Sequence, residues 1–556
     1  MSDTTEKTFW EKRTEPTMIG ATLSYFLLPL YALVYLSGRS REMQEALNEP
    51  YRRWLYDFLG WIAPIVEGRY QIPLIPIYRY WAFGQGAWIA LAIPPFLIAG
   101  FLWFVGFNII TAFSRPPMST SHGSGRFATK AEQKRFLRGS RTALLVGASA
   151  KRGFFHYDGP EHLLTLAPTR SGKGASVIIP NLLHAERSVI VIDPKGENVQ
   201  VTARHRKTFG HVHVLDPFNV SGQANASFNP LAGLDAANPD FVDDAATLAA
   251  ALVVTPPQSR DQHFDDGARS LLRGLIMLVA AVEIPDRRNL VTLRDYLTYP
   301  REKFAGLLEI MAEMTEADGA IAAAANVFRS KNDREAAAIL STAQEQTSFL
   351  DSPQLRASLK TSSFEFGDLK TGIASVFIVL PQSRLASHGR WVRLLVTRAL
   401  QDIERTRVKP KAPVLFLLDE FASVGDMPAI KTAFGLMAGY GLQLWAFLQN
   451  WGQLEELYGK GAHTFVANAG VFQTFNTNDE LTARYVSNLS GDTTRAETAD
   501  RSRSIGGKLL TPEEVMHLGP NTIFLKLKGV RPFFVRKVQY WTHRRFKGLH
   551  DASDFN

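Results

Sequence analysis

The chain has 556 residues, 46% hydrophobic and 21% charged, which is a folded composition too long for one ordinary core. A net charge of +9 suits an anionic partner, either nucleic acid or an acidic membrane face. It has no cysteine, so disulfides, thiolate metal sites and cysteine nucleophiles are excluded, and its 13 histidines show no H-E-x-x-H spacing.

The N-terminal part predicts two membrane spans. Residues 16–38 and 80–114 carry no charged side chain, and the predicted transmembrane helices are 17–37 and 86–112. A span needs roughly 20 apolar residues, and the prolines at 29, 94 and 95 are tolerated in lipid. The loop between the spans has mixed charge. After the second span come Arg115, Arg126, Lys130, Lys134, Arg135, Arg138 and Arg141, with Glu132 the only acid among them. The positive-inside rule places that flank in the cytoplasm, and two spans return the N-terminus to the same side.

Residues 163–176, LLTLAPTRSGKGAS, read as a strand, a small-residue loop and a helix start. The loop departs from G-x-x-x-x-G-K-[ST] at both ends: Ala167 stands for the first Gly, and Gly174 stands for the Ser or Thr. The candidate phosphate-binding residues are Thr169, Arg170, Ser171, Gly172, Lys173, Gly174 and Ala175. Backbone N–H groups and a helix start would face an anion there, and Lys173 would reach the outer phosphates.

A second run, 188–192, ends in Asp193-Pro194-Lys195-Gly196-Glu197, expected at the carboxyl edge of a sheet. Residues 231–365 are rich in Ala and Leu at helical spacing and predict an all-helical domain inserted into an α/β domain. They hold 13 Lys+Arg against 20 Asp+Glu, so this insertion carries −7 and the rest of the chain +16. A large basic DNA-binding face on it is therefore not predicted. Contacts near Arg287-Arg288 or Arg329-Lys331, or basic protein clients, stay open.

Five apolar residues, 414–418, then lead into Asp419-Glu420, as expected of a strand buried on both faces. Asp419 would hold Mg²⁺ through water, and Glu420 would polarise an attacking water. The run 442–448 ends at Gln449, which is either a γ-phosphate sensor or an ordinary polar strand end. The C-terminal stretch FLKLKGVRPFFVRKVQYW predicts a closing pair of strands. The tail after it, 546–556, is short, which leaves substrate recruitment to the helical insertion.

These segments resemble type IV secretion coupling proteins, the TraG-like conjugative coupling ATPases. The resemblance rests on APTRSGKG (167–174), IDPKGE (192–197), FNPL (228–231), SVFIVLPQSRLASHGRWVRLL (375–395), LLDEFASVG (417–425), the stretch 437–459 and LLTPEEV (509–515), in that order. It implies a RecA-like nucleotide-binding domain in two parts, 116–230 and 366–556, around an all-alpha domain, 231–365, with a membrane anchor at 1–115. It implies a hexamer in the bacterial inner membrane that uses ATP and Mg²⁺. Its partners would be relaxase–DNA complexes or effector proteins, presented to the secretion channel and its inner-membrane components. It places Lys173 on the β and γ phosphates, Asp419 on Mg²⁺, Glu420 as water activator and Gln449 at the site.

Two departures bear on turnover. Gly174 supplies no hydroxyl for Mg²⁺, so Ser171, Ser176 or water must stand in. Where some relatives carry a trans-acting arginine, this chain has Ala438. Arg390 and Arg393 are the candidates to replace it, or else they are structural. A nucleotide-gated receptor or scaffold with little turnover is the competing reading, and an FtsK-like DNA translocase is a third. An ABC ATPase is excluded, because LSGD at 489–492 is not LSGGQ.

Overall fold

The computed structural model describes residues 100–106, 108, 122–150, 153–255, 262–496 and 504–553. The chain divides after Pro117, and Met118–Asn556 is one compact unit. Of the first unit, residues 100–106 and 108 are described, and they are helical. The predicted span 17–37 and most of 86–112 lie outside the described residues. Among the described residues no helix is long and apolar enough to cross a membrane.

The second unit is built on an eleven-stranded sheet. Its strands are β1 (Leu144–Ser149), β2 (Gly153–Tyr157), β3 (His162–Leu166), β4 (Val189–Ile192), β5 (His211–Leu215), β6 (Ala374–Ile378), β7 (Val414–Leu418), β8 (Leu442–Leu448), β9 (Ala469–Thr474), β12 (Thr522–Leu527) and β13 (Phe533–Arg536). A separate two-stranded ribbon pairs β10 (Asp492–Ala496) with β11 (Ser504–Lys508). The sheet order is β2-β1-β13-β12-β9-β3-β8-β7-β4-β6-β5. From β9 to β5 all neighbours are parallel, and from β12 to β2 all are antiparallel.

Every residue of β3, β4, β7 and β8 is buried. Helices cover both faces of a parallel sheet, so its strands read as continuous apolar runs rather than alternations. Several of the polar side chains inside pair with one another. Trp445 Nε1 donates to Thr165 Oγ1 at 2.9 Å, Thr165 donates to Gln473 at 3.0 Å, and Gln473 donates to the Val146 carbonyl at 3.1 Å. This chain of bonds links β8, β3, β9 and β1. The C-terminal strands do pair, as β12 and β13, but they do not close the sheet. The β1–β2 hairpin lies beyond them.

Among the described residues between β5 and β6 there are helices and no strand. Asn289 caps Leu290–Leu297 by accepting the Val291 and Thr292 N–H groups, and Asn332 caps Asp333–Gln346 through Glu335 N–H. The longest of these helices, Gln262–Val282, is buried over most of its second half. Its Leu275 and Ile276 belong to the same hydrophobic core as Leu164 and Ile190 of the sheet, a core that also holds Trp391 and Val392. The helical stretch thus shares one hydrophobic core with the sheet.

Candidate nucleotide site

Four adjacent parallel strands bring the sequence-predicted residues to one edge. Leu166 of β3 pairs with Leu448, Leu418 of β7 with Ala446, and Ile192 of β4 with Leu418. Whatever follows these strands therefore emerges on the same side. The loop 167–173 follows β3, Gln449 follows β8, Asp419-Glu420 follows β7 and Asp193 follows β4. This is the edge at which open α/β sheets bind ligands.

Lys173 Nζ lies 2.6 Å from Glu420 Oε1 and 3.0 Å from Asp419 Oδ1. Gln449 Nε2 donates to the other Glu420 oxygen at 3.4 Å. Burial works against the Lys173 charge, but the two carboxylates outweigh it and its pKa is raised. Burial also raises the Asp419 carboxyl, against the pull of Lys173. A phosphate entering here competes with two carboxylates for one ammonium.

The backbone of this edge is strained. Six described non-glycine residues have positive φ, and four follow parallel strands: Arg170 after β3, Asn219 after β5, Glu420 after β7 and Asn476 after β9. Each such residue costs on the order of 1 kcal/mol or more, and such residues gather at functional sites. Gly172, at φ +83°, makes the remaining turn of the loop. Gly174–Ile178 then opens the following helix as a π turn, with Ile179 N–H donating to the Gly174 carbonyl.

The two serines of the loop differ. Ser176 donates its hydroxyl to the Gly172 carbonyl at 2.6 Å, whereas the buried Ser171 hydroxyl has no protein partner. A Cβ on Gly174 would meet nothing within 4 Å, so space does not forbid a hydroxyl there. Thr169 and Arg170 are exposed at the loop tip.

Other residues singled out in the sequence are engaged within the chain. Asp193 is not a free acid at the edge. It is 1% exposed and accepts from Asn198 Nδ2 at 3.2 Å and Val199 N–H at 2.9 Å, which ties it to the helix Glu197–Arg206. Burial pushes its carboxyl up to about 7. The arginine candidates sit on the helix Leu385–Arg405 and are engaged within the chain. Arg393 is buried and donates to the carbonyls of Asp426 and Ala251. Arg390 Nε donates to Gln346 Oε1 at 2.7 Å. A trans-acting finger must be free to reach another subunit, and buried Arg393 is not.

No motif pointed to the C-terminal segment, yet it lines this loop. Lys537, just after β13, donates to the Ser171 carbonyl at 2.9 Å, and Tyr540 N–H donates to the Ala175 carbonyl at 3.2 Å. No local pattern could have revealed this, because the contacts depend on where β13 lies in the sheet.

This architecture matches solved structures. The conjugative coupling protein TrwB, in its ΔN70 form with sulphate, superposes with a TM-score of 0.61 at 19% identity over 74% of this chain and 93% of that one. TrwB with ADP and Mg²⁺ gives 0.58 at 19% identity over 75% and 94%. In sequence, VirD4 of Agrobacterium fabrum is 29% identical over 415 residues, covering 70% of this chain and 60% of its own length. The conjugal transfer protein TraG of Escherichia coli is 28% identical over 412 residues, covering 67% and 65%. The match thus spans less than two thirds of either relative. The family model described as type IV secretory system conjugative DNA transfer matches residues 125–553, a stretch that holds the whole sheet and every candidate site residue. The chain belongs to the type IV secretory system conjugative DNA transfer family.

Proposed function

We propose that this protein is the coupling ATPase of a type IV secretion system. It would receive relaxase–DNA complexes or effector proteins and pass them to the secretion channel at the cost of ATP. Its segments 17–37 and 86–112 would anchor it in the bacterial inner membrane with both termini cytoplasmic. The nucleotide-binding parts, 116–230 and 366–556, would flank an all-alpha receptor domain, 231–365, and six copies would surround a channel. The observation that carries the reading is the meeting of Lys173, Asp419, Glu420 and Gln449 at one sheet edge within the family match.

Each group has a role. Lys173 neutralises the β and γ phosphates, and the loop N–H groups orient them. Glu420 positions and polarises the attacking water, and Gln449, bonded to Glu420, fixes that carboxylate. Among the described residues no group of three or more His, Asp or Glu could hold a metal. One carboxylate, Asp419, suits magnesium, which keeps its waters and arrives with phosphate. The buried Ser171 hydroxyl, which has no protein partner, is the loop oxygen that would stand in for the missing one. When bound, Mg²⁺ supplies charge neutralisation at the phosphates.

The test is phosphate release by the full chain in detergent, with and without single-stranded DNA. DNA-stimulated release should fall about hundredfold or more in Lys173→Ala and Glu420→Gln. Gly174 favours a second reading, a nucleotide-gated receptor with little turnover. The variant Gly174→Ser fits the available space and should raise Mg²⁺-dependent release if the missing hydroxyl limits the rate. Nucleotide-dependent assembly without release, in both wild type and Gly174→Ser, would establish the receptor reading instead.

A further inference from the structure

β13 is antiparallel to β12, and β12 is antiparallel to β9, so β13 ends at the edge where β9 and β3 end. Lys537 follows β13 directly. Its Nζ donates to the Ser171 carbonyl at 2.9 Å and to Asn476 Oδ1 at 3.0 Å, and it lies 4.9 Å from the Phe475 ring centroid. All three partners are neutral. Burial lowers its pKa to about 8, with no carboxylate offsetting that effect. This is a half-buried cation at the phosphate loop without a counter-charge among the described residues.

The segment beyond Lys537 holds it there. Tyr540 and Phe546 pack with Ile179 and Val201 behind the loop, Asp551 N–H donates to the Val201 carbonyl at 3.0 Å, and Arg204 pairs with Asp551 at 2.7 Å. Residues 537–551 thus form a strap against the loop and the two helices that follow β3 and β4.

A trans peptide points its C=O and its N–H in opposite directions. Pinning the Ser171 carbonyl on Lys537 therefore turns the Gly172 N–H away from the strap. Left-handed Arg170 and Gly172, on either side of Ser171, give the loop the alternation that makes backbone anion nests.

We propose that Lys537 is a positioning residue of the phosphate site, holding the Ser171–Gly172 peptide in its anion-binding orientation and taking the bound phosphates as its missing counter-charge. The inference rests on the nucleotide-site reading above and adds a cationic residue from the last sheet strand to it. A lysine serving only the fold would lower stability when removed. Lys537 should behave in the opposite way, because its ammonium lacks a counter-ion until an anion binds.

The experiment compares the full chain in detergent with Lys537→Met and Lys537→Arg. Binding of adenylyl imidodiphosphate with Mg²⁺ and of AMP is measured by calorimetry, and melting is followed without nucleotide. Lys537→Met should bind the triphosphate analogue about tenfold more weakly and AMP less than twofold more weakly. Its melting temperature without nucleotide should be unchanged or higher, and Lys537→Arg should keep wild-type affinity. Equal losses for both ligands, a lowered melting temperature, or unaltered triphosphate binding in Lys537→Met would each overturn the proposal. Absence of binding by the wild type would instead remove the nucleotide reading itself, and this inference with it.

Discussion

The parallel sheet and the helical stretch between β5 and β6 distribute their charges in opposite ways. No Asp, Glu, Lys or Arg lies within β3, β4, β7 or β8, and the charges of that region wait at strand ends. The parallel ladder then brings those ends together, which is how Lys173 comes within 3.0 Å of both Asp419 and Glu420. In the helical stretch the charges run along the helices. Many pair locally, as in Arg287–Glu283 at 2.9 Å and Lys331–Glu335 at 2.8 Å, while a few, such as Asp244 and Arg294, are buried in longer-range pairs. A strand ladder focuses charge at an edge, whereas a helix spreads it around its axis at 3.6 residues per turn. The first arrangement gathers the charges of a candidate site. The second builds a surface, here an acidic one.

The two regions nevertheless share one hydrophobic core, and that continuity can be attacked. Leu275 is fully buried in the longest helix of the stretch. Leu275→Ala should cost about 3–5 kcal/mol through lost burial and a residual cavity. Denaturant unfolding followed by far-ultraviolet dichroism and by tryptophan fluorescence should still show coincident transitions for both regions. Separate transitions would mean that the helical stretch folds by itself and that its core is divided from that of the sheet.

A smaller effect is expected at the ionic joint. Arg405, at the end of the helix Leu385–Arg405, pairs with Asp244 of the helix Phe241–Leu252, and Asp244 is 4% exposed. Arg405→Met strands a buried carboxylate and should cost about 2–3 kcal/mol, more than Asp244→Asn, which leaves a partly exposed guanidinium. Equal costs for the two variants, read from urea midpoints, would show that Asp244 is not held buried at this joint.

The smallest effect sits in the sheet. The buried His162 ring accepts from Leu444 N–H at Nδ1, 3.0 Å away, so Nε2 carries the proton and donates to the Ala433 carbonyl at 2.9 Å. Burial lowers its pKa to about 4, from an ordinary 6.5. The unfolded chain thus binds this proton more readily. The stability contributed by neutral His162 is present above pH 6.5 and is lost as pH falls towards 4. By pH 5.5 the loss should be about 1 kcal/mol. His162→Gln should lose less stability than wild type between pH 7 and 5.5, and parallel curves would assign the ring no such role.

Much of the site was legible because its parts are local. β7 reads as an apolar run tipped by two acids, and β3 as an apolar run feeding a loop with Gly172-Lys173. The helices between β5 and β6 show in their spacing of Leu and Ala. Other features could not be read this way. Arg393 has the charge and family segment expected of a trans-acting group, but the packing of Leu385–Arg405 against Phe241–Leu252 turns it inward. Asp193 has the strand-end position of a ligand, but the following helix takes up its oxygens. Lys537 carries no motif at all.

By itself, then, the sequence singled out candidates to bind phosphate and activate water, and the segments that are strand, helix or candidate span. These follow from side-chain type and local period. Only the tertiary structure decided which strand ends share an edge, that the C-terminal strap reaches the Ser171 carbonyl, and that the helical stretch shares the core of the sheet. Those outcomes depend on strand order and register, which place residues hundreds of positions apart within hydrogen-bonding distance and leave no mark in any short stretch of sequence.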